Sequence, residues 1–411
     1  MQDYNNTKIA VIGGGPAGMM AAGTAASLGA EVTVFEHTDR LGKKLAITGK
    51  GSCNVTNCCS ANEFLENVTR NHRFLYTAIN AFSPTDAMDF FSSLGVTLKV
   101  ERGNRVFPEN DKAKTIVDAM KKYASAARTL YEHVRQIIPE KTGGFTVVTS
   151  KPRHFDKVII ATGGRSYPLT GSDGTGYDLA KSLGHTVTPI SPSLVPMECA
   201  SRLPAEMMGL TLKNVAINVR NSDGRVIYSD FGEMLFTHFG VSGPVILSAS
   251  AHIDEKDIAS STLEIDLKPA LDEKTLDARV LSDFSKHTNK CLINSLGGLL
   301  PSKMIEPFIK KAELDPYLKI NTLTKAQRLK IVSTLKAFKL PLKRLRPIDE
   351  AVITRGGVEV RELVPKTMES KITPGLYFAG EVIDVDAYTG GFNLQIAYST
   401  GYLAGKSAAE S

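Results

Sequence analysis

Residues 8–36 read KIAVIGGGPAGMMAAGTAASLGAEVTVFE, and this stretch decides the fold. An apolar run leads into Gly13, Gly15 and Gly18, spaced G-x-G-x-x-G. A small-residue helix follows, with Ala17, Ala21 and Ala25 free to press against a sheet, and a second apolar run ends at Glu36. Each part has a physical use. Gly13 permits a tight turn, Gly15 lets a diphosphate approach backbone, and Gly18 lets helix and strand pack closely. Pro16 and Ala17 sit in the same turn, where the helix start offers N–H donors and the positive end of its dipole. Glu36 is placed to accept hydrogen bonds from an adenosine ribose. Strand, turn, helix, strand and acid predict a Rossmann-like dinucleotide site.

Working outward, apolar runs at EVTVFE, FTVVTS and KVIIATGG continue an α/β pattern to about residue 190. Alternation in LKNVAINV, RVIYSD and TLEIDLKP then predicts an antiparallel β unit. Helical spacing over Glu273–Leu296, Pro301–Leu314 and Thr324–Phe338 predicts a small helical unit. The chain becomes β-rich again after Pro347 and ends in a helix. The expected organisation is a dinucleotide domain at 1–190 and 347–411. It is interrupted by a β-barrel-like unit (191–270 and 339–346) and a helical unit (271–338).

NAD and FAD domains share this opening unit, and the far end of the chain chooses between them. Residues 374–405 contain a strand, LYFA, ending at Gly380-Glu381, then Gly390-Gly391 and a helix near Asn393. A carboxylate after that strand suits ribityl hydroxyls. Free N–H groups at Asn393, Leu394 and Gln395 suit a flavin edge that gains negative charge on reduction. Thr162 and Gly163 end a third strand in small residues that allow close approach. The three pieces favour FAD. No second G-x-G-x-x-G follows a strand, so NAD(P)H enters only as a candidate transient electron donor.

The chain also resembles a group of bacterial FAD-dependent oxidoreductases, the aminoacetone-oxidase-like and dehydro-bile-acid-reductase-like flavoproteins. These belong to the wider glutathione-reductase type and are related to the fumarate-reductase branch. The resemblance is carried by IGGGPAGMMAA (12–22), LGKKLAITGKGSCNVTN (41–57), RVFPENDKA (105–113), ATGGRSYPLTGSDGTGYDLAKSLGH (161–185), EMLFTHFGVSGP (233–244), TRGGV (354–358) and TMESKITPGLYFAGEVIDVDAYTGGFNLQIAYSTG (367–401). It implies FAD, an FAD domain with inserted units, and a redox enzyme acting on a small molecule by hydride transfer at flavin N5. It adds Lys44 near the adenosine or diphosphate, Gly51 and Asn54 in the GKGSCN loop, and Val134 against the adenine. Relatives often carry Arg where this chain has Ser52, which leaves Lys50 as the candidate cation there.

His238 in LFTHFGVSGP and Tyr388 before the Gly-Gly turn are candidate catalytic residues, His for proton transfer near neutral pH. Cys53 is either a redox thiol near the ring or a small buried side chain. Cys53, Cys58 and Cys59 lack the paired C-x2-C spacing of metal sites, so no metal is expected. Asp384 and Asp386 read as ribityl or substrate ligands, or as solvated loop acids.

Composition limits the rest. Lys plus Arg number 49 against 43 Asp plus Glu, a net charge of +6 that by itself is no signature of nucleic acid. Five Cys argue against a disulfide framework and for the reducing cytoplasm. No stretch approaches ~18 consecutive apolar residues, and MQDYNNTKIA does not read as a leader, so no membrane is expected. Between Asp315 and Asp349 there are nine bases and no acid, with few aromatics to stack bases. Two rivals to the enzyme reading therefore stay open. One is a flavoprotein that binds or modifies RNA, and the other is a non-enzymatic flavin redox sensor.

Overall fold

The computed structural model describes residues 7–411; the leader reading drawn from the first residues lies mostly outside them. The chain divides into two compact units, one ending at Ser193 and resuming over Ile348–Ser411, the other Leu194–Pro347.

The first unit is built on a five-stranded parallel sheet. Its strands are β1 (Lys8–Ile12), β2 (Glu31–Phe35), β3 (Arg128–Leu130), β4 (Lys157–Ile160) and β5 (Leu376–Phe378), in the order β5-β4-β1-β2-β3. β1 is central: Val11 pairs with Val34 of β2 and Ile159 of β4. Four of its five residues are buried, the continuous apolar run expected of a sheet covered on both faces.

Helix α1 (Pro16–Ser27) starts with Pro at its first turn and has Ala17 through Ala25 buried. It is buried nearly all round because the closing helix α2 (Phe392–Glu410) lies against it. Glycine makes this possible. A Cβ at Gly401 would sit 2.4 Å from the Ala17 carbonyl oxygen, and one at Gly405 would sit 2.3 Å from that of Ala21. The two ends of the chain thus pack backbone to backbone.

FTVVTS departs from expectation. Phe145–Val148 is the middle strand of a three-stranded antiparallel sheet, between Gln136–Pro139 and Pro152–Phe155. Its buried and half-buried residues alternate, the mark of a sheet with one covered face.

In the second unit, Met197–Cys199, Gly240–Ser242, Val226–Phe236, Thr211–Arg220, Thr262–Asp266 and Phe338–Leu345 form a closed barrel in that order. Phe338, Leu340 and Leu342 point inward while Lys339, Pro341 and Lys343 point outward, the alternation of a filled barrel. Glu273–Ser285, Ser302–Lys311 and Lys325–Lys336 are helical. The first is shorter than expected. The polar run Lys286–Lys290 offers nothing to bury, and Cys291 instead bridges to Lys319. Ser191–Ser193, expected in the inserted unit, pairs with Ile353–Arg355 in the first unit. Among the described residues, no helix is long and apolar enough to cross a membrane.

Candidate cofactor site

The glycine turn is held open at one position and shut at its neighbours. Gly13 has φ +107, and a Cβ there would meet the Ala161 carbonyl oxygen at 2.5 Å. A Cβ on Gly18 would meet the Gly13 carbonyl oxygen at 1.9 Å. At Gly15, the N-cap of α1, a Cβ would meet nothing within 4 Å. No side chain caps the helix and no acid lies in its first turn. The leading N–H groups therefore have no side-chain partner and face open space, available to an anionic group. Glu36 is buried at the end of β2. Its Oε2 accepts from the Gly14 N–H at 2.9 Å and its Oε1 from the Thr38 N–H at 2.7 Å. A carboxylate offers about four lone-pair sites, so acceptor capacity remains for a ribose. Val134 is buried in the connection after β3, where neighbouring His133 lies edge-on to His37.

The loop after β2 is tied to this turn by Gly42 N–H donating to the Gly14 carbonyl at 2.9 Å. Further on, Lys50 and Cys53 take left-handed backbone at φ 56 and 59. A non-glycine residue in that region costs roughly 1–2 kcal/mol, strain of the kind that collects at ligand sites. Gly51 opens onto free space, and the buried Asn54 Oδ1 has no partner among the described residues. Cys53 is fully buried, and burial pushes its thiol up to about 12 against a hydrogen bond from Thr48. A thiol raised that far is protonated at neutral pH, which favours the structural reading of Cys53 over the redox one.

β4 runs into Ala161–Gly164. The Thr162 hydroxyl is buried without a partner among the described residues, and Gly163 has φ +76. Lys44, expected toward the adenosine or diphosphate, turns to the carboxylate in the turn after β5. Its Nζ donates to Glu381 Oε2 at 2.8 Å and to Ser166 Oγ at 2.7 Å. Glu381 Oε1 accepts from the Thr354 N–H at 2.8 Å and from the Ser166 hydroxyl at 3.2 Å. Thr354 Oγ1 in turn accepts from the Arg165 N–H at 2.8 Å. Ser166 and Thr354 were missed from sequence as site residues. The second glycine of the Gly163-Gly164 pair was the available signal: a Cβ on Gly164 would meet Thr354 Oγ1 at 2.3 Å and Glu381 Oε1 at 2.6 Å. Gly380, at φ +76, donates its N–H to Thr400 Oγ1 at 2.9 Å and would touch the Ala17 Cβ if substituted.

α2 begins after Gly391, whose φ is +95 and whose Cβ would lie 2.4 Å from the Thr56 carbonyl. No side chain caps this helix either. The Asn393 amide clamps the preceding loop, accepting from the Ala387 N–H at 3.0 Å and donating to the Ala387 carbonyl at 2.7 Å. Leu394 is half-buried beside it. Gln395 corrects the sequence reading. It is fully buried; its Nε2 donates to the Phe82 carbonyl and to Ser399 Oγ, its Oε1 accepts from Thr56, and its N–H donates to the Gly391 carbonyl. It holds the helix start from within and has no donor left for a cofactor.

Asp384 and Asp386 are buried, not solvated. Asp384 pairs with Arg70 at 2.9 Å, and Asp386 accepts from the Ser193 hydroxyl at 2.9 Å. Desolvation raises both carboxyls above the usual range. Tyr388 is half-buried, two residues along the same loop.

His238 lies in the second unit, exposed in the turn between Val226–Phe236 and Gly240–Ser242, edge-on to Phe239. The basic stretch 316–348 is largely compensated within that unit. Arg328 pairs with Asp277, Lys330 with Glu313, Lys336 with Asp266 and Lys339 with Glu264, while Arg344 and Arg346 both grip Glu198.

Comparison with known proteins adds to the geometry. A family model described as HI0933-like protein Rossmann domain matches residues 7–407. The 3-dehydro-bile acid delta(4,6)-reductase of Clostridium scindens is 32% identical, over 98% of this chain and 99% of its own. The ribosomal RNA dihydrouridine synthase of Escherichia coli is 28% identical over 95% of each chain. Among solved structures, a 3-ketosteroid delta1-dehydrogenase from Sterolibacterium denitrificans shares the fold. Its TM-score is 0.51 at 12% identity, over 99% of this chain and 100% of that one.

Proposed function

The chain belongs to the HI0933-like FAD Rossmann family and is an FAD-dependent oxidoreductase; from that premise we propose that it reduces a carbon–carbon double bond conjugated with a carbonyl in a small organic substrate. When bound, FAD supplies hydride chemistry at N5. The open Gly15 position above an uncapped helix start, with Glu36 turned onto the same glycine turn, is the observation that carries the cofactor reading. The first N–H groups of α1 hold the diphosphate and Glu36 holds the ribose. Thr162, Gly163, Gly51 and Asn54 line the path between them. Lys44 fixes Glu381 toward the ribityl chain. The backbone N–H groups of Asn393 and Leu394 stabilise charge on the pyrimidine edge.

Two relatives' names support the substrate class. A delta(4,6)-reductase of a 3-oxo bile acid and a dihydrouridine synthase both name addition of two hydrogens to a double bond conjugated with a carbonyl. Tyr388 and His238 are the candidates for the proton that accompanies hydride. They lie in different units, so each is tested alone. NAD(P)H is the candidate source of reducing equivalents. The second name also keeps RNA as a substrate class, but the acids that neutralise the basic stretch favour a small molecule.

Anaerobic stopped-flow absorbance tests the reading. NADPH or NADH bleaches the flavin band, and an enone panel restores it: 2-cyclohexen-1-one, a 3-oxo-4,6-diene steroid and, as the RNA arm, unmodified ribosomal RNA. Restoration by oxygen alone overturns the reading.

A further inference from the structure

The barrel strand Thr211–Arg220 slips register between Leu212 and Val215, which bulges Lys213 and Asn214 out of the ladder. Beside that bulge lies a hollow of about 190 Å³. Leu212, Leu267, Leu300 and Met304 supply its apolar walls, and Lys213 and Lys268 supply positive charge.

Lys268 is half-buried, and its ammonium makes no ion pair among the described residues. Asp266, two residues away, is taken by Lys336, which also donates to the Lys268 and Leu271 carbonyls, and Asp283 is taken by Arg279, whose charge acts on Lys268. Burial, then the Arg279 charge, pulls the Lys268 amine below its ordinary range. A cation short of a counter-ion, at the edge of an apolar hollow, suits one anion carrying hydrocarbon.

We propose that this hollow binds a small amphiphilic monocarboxylate, with the carboxylate on Lys268 and its chain against Leu212, Leu267, Leu300 and Met304. At about 30 Å³ per water-sized volume, the hollow takes about six heavy atoms, which matches the six carbons of hexanoate with its two oxygens at the rim on Lys268. The site lies wholly in the second unit and does not depend on the flavin chemistry.

The test uses the flavin-loaded protein with hexanoate, 1-hexanol and hexylamine in isothermal titration. Hexanoate binds saturably and at least tenfold more tightly than hexylamine or hexanol. Lys268→Met weakens hexanoate at least tenfold and changes hexanol less than twofold. A second measurement needs no variant. Trace acetic anhydride followed by peptide mass spectrometry reads acetylation at Lys268 and at exposed Lys343. Saturating hexanoate slows Lys268 at least fivefold and leaves Lys343 unchanged. Absence of saturable binding, equal affinity for hexanoate and hexanol, or unprotected Lys268 each overturns the proposal.

Discussion

The Lys44 ammonium lies 2.8 Å from Glu381 Oε2, although 337 residues separate them. One belongs to the loop after β2 and the other to the turn after β5, the segment expected to meet the ribityl chain. Both side chains are largely shielded from water, so the bond is worth more than a surface ion pair. Lys44→Met leaves Glu381 with Ser166 and Thr354 only. It should weaken FAD binding to the apoprotein by about tenfold, equivalent to 1.4 kcal/mol, read by fluorescence titration. Unchanged affinity would place the pair outside the cofactor's reach.

Two glycines should respond oppositely to enlargement. Gly15→Leu meets no atom of the apoprotein within 4 Å of its Cβ, so the apoprotein's melting temperature should hold within a few degrees while flavin is lost. Gly164→Ala drives a methyl into Thr354 Oγ1 and Glu381 Oε1. It should cost about 1–3 kcal/mol of stability even without cofactor. Urea denaturation of the two apoproteins separates the cases. A destabilised Gly15→Leu apoprotein would mean that the open space is needed for folding.

These contrasts show what was legible in the sequence. The glycine turn could be read because only glycine satisfies Gly13 and Gly18, and the strand–turn–helix order is local. The barrel could be read from alternation over long strands. Gln395 was misplaced because position near a helix start does not say which way a side chain turns, and packing against Phe82 and Thr56 turned it inward. The basic stretch looked uncompensated because its partners lie far off in sequence, Glu198 and Asp277 among them. Burial of Asp384 and Asp386 left no local trace, since Arg70 and Ser193 come from distant segments.

Those buried acids set a pH dependence. Asp386 has a folded-state pKa raised first by desolvation, against opposing contributions from Ser193, Thr69, Arg355 and Arg70. A raised carboxyl favours the protonated form in the folded protein. Its ionisation therefore costs stability as pH climbs from the unfolded value, about 3.9, through the folded one. Asp386→Asn keeps an acceptor for Ser193 but cannot ionise. It should be more stable than the parent at neutral and alkaline pH, with the difference vanishing below about pH 4. Denaturant midpoints across pH measure this, and a difference that grows on acidification would reverse the sign.

Cys53 offers the sharpest separation of structure from chemistry. Its thiol is fully buried and held up to about 12, while Cys58 is exposed. At pH 8, iodoacetamide should label Cys58 in the native flavoprotein and spare Cys53 until denaturant is added. Only the thiolate reacts at a useful rate, and Cys53 supplies almost none. Cys53→Ala removes one buried sulfur from a tight loop and should cost about 1 kcal/mol by cavity formation. The rates of flavin reduction by NAD(P)H and of reoxidation by the enone should stay within twofold of the parent. If reoxidation fell tenfold in a folded, flavin-replete variant, the thiol would have to take part in the chemistry, and its protonation in the cofactor-bound protein would differ from that in this structure.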